Sequence, residues 1–224
     1  MGSIVGFAGR AETGKSTAAE MLRSVSGSQS SQHLEFSEPI LTIANDWMAR
    51  LTAKTSYNEA LAELQHVALE TTDTFKTLIS ARYNTPLLSR YLDQSSDISR
   101  CITPETKSQH RQLLEWLGKG VVDHVSPTYW SDVVIQRVDA LLPDTDLVTI
   151  GGIRSGYDAQ AVRQAGGKII QVTRAANNMP LLLTEEALSE WEPDFTIVND
   201  GTLEDLEEAV GNVWRQILLH DSSL

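Results

Sequence analysis

The octet Gly9-Arg10-Ala11-Glu12-Thr13-Gly14-Lys15-Ser16 constrains this chain more than any other stretch. It fills the pattern G-x-x-x-x-G-K-[ST]. Residues 3–8 before it form a short apolar run with the character of a buried strand. Residues 17–25 after it carry apolar side chains at helical spacing. Gly9 and Gly14 allow backbone conformations that a side chain forbids, so successive N–H groups can turn inward. The following helix N-terminus adds its own N–H groups, and together they make an anion cradle. Lys15 is then placed to reach β- and γ-phosphates, and the Ser16 hydroxyl to ligate Mg²⁺. Gly9, Arg10, Ala11, Glu12, Thr13, Gly14, Lys15, Ser16 and Thr17 are the expected cradle. The competing reading is a glycine-rich turn that merely caps a helix. Such an octet arises by chance in about 1% of chains this long.

The chain has 224 residues, room for one α/β core with an inserted helical segment. Its net charge of −12 argues against duplex DNA or an anionic membrane surface as partner. A single cysteine, Cys101, excludes an internal disulfide and fits a reducing, cytoplasmic setting. No stretch approaches the length of a membrane span, and the N-terminus lacks the basic and apolar regions of a signal peptide. The five histidines, His33, His66, His110, His124 and His220, show no metal-ligand spacing.

After a polar break at 26–32, residues 33–36 read as a second short strand. Ser37-Glu38-Pro39 starts a helix, with Ser37 as N-cap and Pro39 in its first turn. Residues 58–79 read as one or two helices and 82–100 as a loop or lid. Thr103 restarts a helix through Leu117, and Gly118 and Gly120 loosen its end. Ser126-Pro127 begins another, which Pro143 stops. A strand at 147–150 ends at Gly151-Gly152, followed by a helix at 157–165 and a strand at 168–173. Residues 174–183 read as a loop over the site and 184–191 as a short helix. A last strand at 195–198, a turn at Asn199-Asp200-Gly201 and a helix capped by Thr202 complete the order.

Short apolar strands alternating with helices specify an α/β chain. The expected fold is a parallel sheet of about five strands with helices on both faces and a helical insert at about 45–105. Ligands of such sheets sit at the carboxyl ends of the strands. That edge gathers Gly9–Thr17, Ser37–Pro39, Gly151–Ser155, Arg174 and Asn199–Gly201.

In this order the chain resembles the deoxynucleoside monophosphate kinase family of phage type. Four pieces carry the likeness: GFAGRAETGKSTAAEML, FSEPI at 36–40, RQLLEWLGKGVVDHVSPTYW at 111–130, and VTIGGIRSGYDAQAVRQAGGKIIQVTR at 148–174 with FTIVNDGTLEDLEEAV at 195–210. The resemblance implies a P-loop NTPase three-layer sandwich over residues 1–224, with the insert at about 45–105 and a lid-like loop at about 174–190. It implies ATP and Mg²⁺ as cofactors and a small-molecule nucleotide as acceptor. Arg154 matches the family's arginine after this strand, and Arg174 ends the next strand. With Lys15, these two are the expected catalytic cations. Ser37, Glu38 and Arg154 are the expected acceptor contacts, and Arg82, Arg90 or Arg100 could reach it from the insert. The sequence leaves open whether two copies pair as a homodimer through the helical insert.

The sequence departs from the family at several points. Gly152 stands where the family usually has the strand-end Asp that helps hold Mg²⁺. Asp144 and Asp146 precede the strand and so belong to the other edge. Asp158 could contribute or could simply open a helix. Leu41 replaces a common basic residue, and Asp123 stands where Arg is frequent. Two other functions are compatible with the octet. One is a P-loop kinase for another acceptor, such as a modified nucleotide or a small alcohol. The other is a nucleotide-binding regulatory protein without catalysis.

Overall fold

The computed structural model describes residues 2–50, 59, 91, 101–103, 105–175 and 191–221. The expected insert at about 45–105 and the lid-like loop at about 174–190 fall largely outside them, as do Arg82, Arg90 and Arg100. The chain divides into two compact units, one of Met1–Phe36 with Ser131–Leu224, the other of Ser37–Trp130.

Among the described residues, five parallel strands build the first unit: β1 (Ser3–Ala8), β2 (Ser31–Glu35), β3 (Leu147–Ile153), β4 (Lys168–Thr173) and β5 (Phe195–Val198). Their order across the sheet is β2-β3-β1-β4-β5, which puts β1 at the centre. Alternation along β1 sorts its side chains to two faces. Val5 and Phe7 meet Ala18, Ala19 and Leu22 of α1 (Lys15–Val25), together with Leu206, Val210 and Trp214 of the final helix (Leu203–Asp221). Ile4 and Ala8 belong to a second cluster with Val134 and Val138 of the helix Tyr129–Leu141 and Ala159 and Val162 of the helix Gly156–Gln164. Helices therefore cover both faces of a fully parallel sheet, as the sequence pattern predicts.

The second unit contains α2 (Glu38–Arg50) and α3 (Arg111–His124), which pack on each other. In chain order the later helices are α4 (Tyr129–Leu141), α5 (Gly156–Gln164) and α6 (Leu203–Asp221). Trp47, Met48, Tyr91, Leu113, Trp116, Leu117 and Val121 form the buried core of this unit. The Tyr91 hydroxyl lies 2.8 Å from Nδ1 of buried His110, and burial raises the phenol above its ordinary pKa.

Several boundaries differ from the sequence expectation. The helix of the piece at 111–130 starts at Arg111, after a 3-10 turn at Lys107–His110, and runs on through both glycines to His124. Tertiary contacts outweigh the low helix propensity of glycine here. A side chain on Gly118 would press on Ile40 Cδ1 at 3.3 Å, and the Gly118 carbonyl accepts from Trp130 Nε1 at 3.0 Å. The strand β2 begins at Ser31, inside the expected polar break, because Ser31 and Gln32 pair with Leu147 and Val148. The strand β3 does not stop at Ile150. It continues through Gly151 and Gly152 to Ile153, paired with Glu35 on one side and, past a bulge, with Ala8 on the other.

Candidate functional site

The carboxyl end of β1 feeds directly into the octet, and α1 starts at Lys15. Gly9 and Gly14 take φ of 139° and 93°, and Glu12 takes φ of 60°. Three left-handed positions in six residues curl the loop tightly. A side chain on Gly9 would collide with the Val172 carbonyl of β4 and stand 3.0 Å from Thr13 Oγ1. One on Gly14 would collide with the Asn199 amide. Both glycines are thus required by close approach as well as by φ.

The loop is held from inside and from behind. Thr13 is buried, and its hydroxyl donates to the Arg10 carbonyl at 3.0 Å. The Lys15 ammonium donates to the same carbonyl. Asn199, also buried, donates from Nδ2 to the Thr13 carbonyl at 2.9 Å, and its own N–H donates to Thr173 O at 2.8 Å. The expected turn residue Asn199 is therefore a brace between β4, β5 and the octet. Asp200 accepts from the Ala175 N–H at 2.7 Å. Ser16 and Thr17 are exposed in the first turn of α1, at the open carboxyl edge.

Arg154 follows β3 and Arg174 follows β4, and both are exposed at that edge. Ser37 and Glu38 belong to the second unit. Ser37 O accepts from the Leu41 N–H, and Glu38 opens α2. Trp116 and Trp130 are buried in the core of that unit.

The carboxylates of Asp158 and Asp146 have structural partners. Asp158 closes a capping box with Ser155 at the start of α5. Its Oδ2 accepts from the N–H groups of Arg154 at 3.1 Å and Ser155 at 3.0 Å, and its Oδ1 accepts from Ser131 Oγ at 2.7 Å. Asp146 accepts from the N–H groups of Gln29 and Ser30, both at 3.1 Å, at the amino end of the sheet. The Asp144 carbonyl accepts from Ser30 Oγ at the same end.

A carboxylate that the motif pattern does not single out lies beside the site instead. Glu35, the last residue of β2, pairs with Gly151 in register. Its side chain lies across β3. A Cβ on Gly151 would fall 2.6 Å from Glu35 Cδ, and one on Gly152 would fall 2.8 Å from Glu35 Oε2. The carboxylate therefore fills the space that a side chain at Gly151 would take. His33 Nε2 lies 3.2 Å from Glu35 Oε1, and His33 Nδ1 lies 2.9 Å from Thr149 Oγ1. The available sequence signal was an acid closing β2 opposite a Gly-Gly step, legible only once the register is known.

Comparison with known proteins adds a separate line of observation. The deoxynucleotide monophosphate kinase family model matches residues 48–210, well over half of the chain. The match begins after the octet, so the octet is independent of it. A deoxynucleotide monophosphate kinase of Escherichia phage RB69 is 28% identical over 108 residues, covering 47% of this chain and 44% of the phage protein. The chain thus matches less than half the length of that relative. The crystal structure of TT1252 from Thermus thermophilus aligns over 96% of this chain and 97% of its own, with a TM-score of 0.42 and 17% identity.

Proposed function

Because the chain belongs to the deoxynucleotide monophosphate kinase family, we propose that it transfers the γ-phosphoryl group of ATP to the phosphate of a deoxynucleoside monophosphate. The observation that carries this reading is the octet at the end of the central strand. Its two close-packed glycines curl it tightly, which supports a cradle for phosphate, and the match to the family lies wholly outside it. A phosphate oxygen of the acceptor forms a bond to the γ-phosphorus, the bond from that phosphorus to the β–γ bridging oxygen breaks, and the products are ADP and a deoxynucleoside diphosphate.

Such a transfer depends on positioning and on neutralising charge, with little covalent work for the protein. The N–H groups of Gly9 to Thr17 bind the donor phosphates. Lys15 leaves the Arg10 carbonyl for the β- and γ-phosphates, exchanging a neutral acceptor for an anionic one. Arg154 and Arg174, exposed at the same edge, hold the transferred group and the acceptor phosphate. Ser37 and Glu38 contact the acceptor. The exposed Ser16 hydroxyl is an oxygen donor of the kind Mg²⁺ takes, and it suits the cation that accompanies ATP. When bound, that cation offsets charge on the β- and γ-phosphates. No helix among the described residues is long and apolar enough to cross a membrane.

A phosphoryl-transfer panel tests the reading. Protein, ATP and Mg²⁺ are mixed with each deoxy- and ribonucleoside monophosphate, and products are separated by ion exchange. Conversion of at least one deoxynucleoside monophosphate to its diphosphate is expected. Lys15→Ala is expected to lower the rate by about 10²–10³-fold. ATP binding with no monophosphate converted would defeat the proposal.

A further inference from the structure

The end of β3 beside the octet carries glycine where a carboxylate is wanted, and the structure supplies a carboxylate at that spot from the neighbouring strand. Neighbouring strands lie about 4.8 Å apart, so a residue on β2 starts some 10 Å from β1. Glu35 closes half of that gap. Its carboxylate occupies the volume a Gly151 side chain would fill, and so it stands on β3, the strand next to β1.

The face is also the right one. Leu147 packs in the cluster that includes α1, and by the two-residue period Thr149 and Gly151 share that face. On β2, His33 and Glu35 share it too, since His33 meets Thr149 across the strands. The helix α1 packs against β3, and its first turn carries Ser16 at the same carboxyl edge. Gly152, with φ of 75°, turns the backbone where Glu35 Oε2 passes. Any other residue at 151 or 152 would push the carboxylate away.

We infer that Glu35, lying over the Gly151-Gly152 step, is the carboxylate that joins Ser16 in holding the divalent cation of the bound nucleotide, taking the place of the acid absent from β3. This rests on the nucleotide reading above. His33 positions the carboxylate by holding Oε1 at 3.2 Å from its ring nitrogen. Asp158, with Oδ2 in the α5 cap and Oδ1 on Ser131 of α4, and Asp146, at the amino edge, do other work.

Calorimetry of ATP binding, in Mg²⁺ and in EDTA, separates the contributions. Wild-type protein is expected to bind ATP more tightly with Mg²⁺. Glu35→Gln is expected to lose about tenfold of that gain while its affinity in EDTA is unchanged. Gly151→Ala, which leaves Glu35 in the chain but displaces it, is expected to show the same loss. Electron paramagnetic resonance of Mn²⁺ with ATP reads the cation directly, and its release in Glu35→Gln is expected. Retention of the full Mg²⁺ gain by Glu35→Gln would overturn the inference and leave the kinase reading standing. No ATP binding by the wild type with Mg²⁺ present would overturn both.

Discussion

The Asn199 side-chain amide donates to the Thr13 carbonyl at 2.9 Å, tying the end of β5 to the middle of the glycine-bounded loop. Both residues are buried, so the bond has no water to replace it. Gly14 lies against the same amide. Asn199→Ala should therefore leave a buried carbonyl unmet and cost about 1–3 kcal/mol. Each kcal/mol lowers Tm by about 2–4 °C for a chain of this size. Scanning fluorimetry reads the stability loss, and calorimetry should show weaker ATP binding. Gly14→Ala should abolish ATP binding, through its φ of 93° and through collision with that amide. The double variant should recover only the part due to collision, giving a non-additive cycle.

Asp158→Ala removes the carboxylate half of the α5 capping box and the acceptor for Ser131, while the N–H of residue 158 still donates to Ser155 Oγ. Leaving the buried Ser131 hydroxyl and the Ser155 N–H without this acceptor should cost about 1–2 kcal/mol in thermal or denaturant unfolding. The Mg²⁺ dependence of ATP affinity should not change. A lost Mg²⁺ dependence in this variant would return Asp158 to the cation site.

His33→Leu removes the ring nitrogen beside Glu35 while preserving bulk on the strand. The expected effect is a weaker Mg²⁺ gain in ATP binding than in the wild type, smaller than the loss in Glu35→Gln. His33→Gln, which keeps a donor, should restore part of it. An effect on stability alone would make His33 a packing residue.

Asp205, exposed at the start of α6, has its carboxyl pKa lowered by the Thr202 backbone N–H and then by the Thr202 hydroxyl. A depressed folded value means this contribution to stability is present above the ordinary value of 3.8 and is lost as pH falls below it. Carbon-detected NMR titration should place the wild-type Asp205 below 3.8. In Thr202→Ala, which removes the hydroxyl but keeps the N–H, it should move only part of the way back up, and the acid limb of the stability curve should flatten slightly.

The strand, loop and helix around the octet are legible from residue types alone, because glycine spacing and apolar period are both local signals. The parallel sheet follows from the same alternation of short apolar runs and helices. Glycines elsewhere mislead. Gly151-Gly152 reads as the end of a strand, and Gly118 with Gly120 as the fraying end of a helix. In each case partners distant in sequence keep the element going: Glu35 and Ala8 for β3, Ile40 and Trp130 for α3. Glu35 and Asn199 escape a linear reading for a related reason. Glu35 gains its meaning from a neighbour more than a hundred residues later, and Asn199 looks like an ordinary turn former until it is seen to hold the octet.

The bond from Asn199 to Thr13 joins residues 186 apart. During synthesis the octet emerges early and stays unbraced until β5 has been made. Its strand, β1, likewise waits for β3 and β4 before either of its edges is paired. Long-range pairings of this kind slow folding and leave apolar strand edges open in the meantime. On the proposed function, competence to hold a nucleotide would arrive with β5, and a chain cut short of residue 199 carries the octet without its support. ATP binding would then serve as a test of whether a nascent or clipped chain has reached β5.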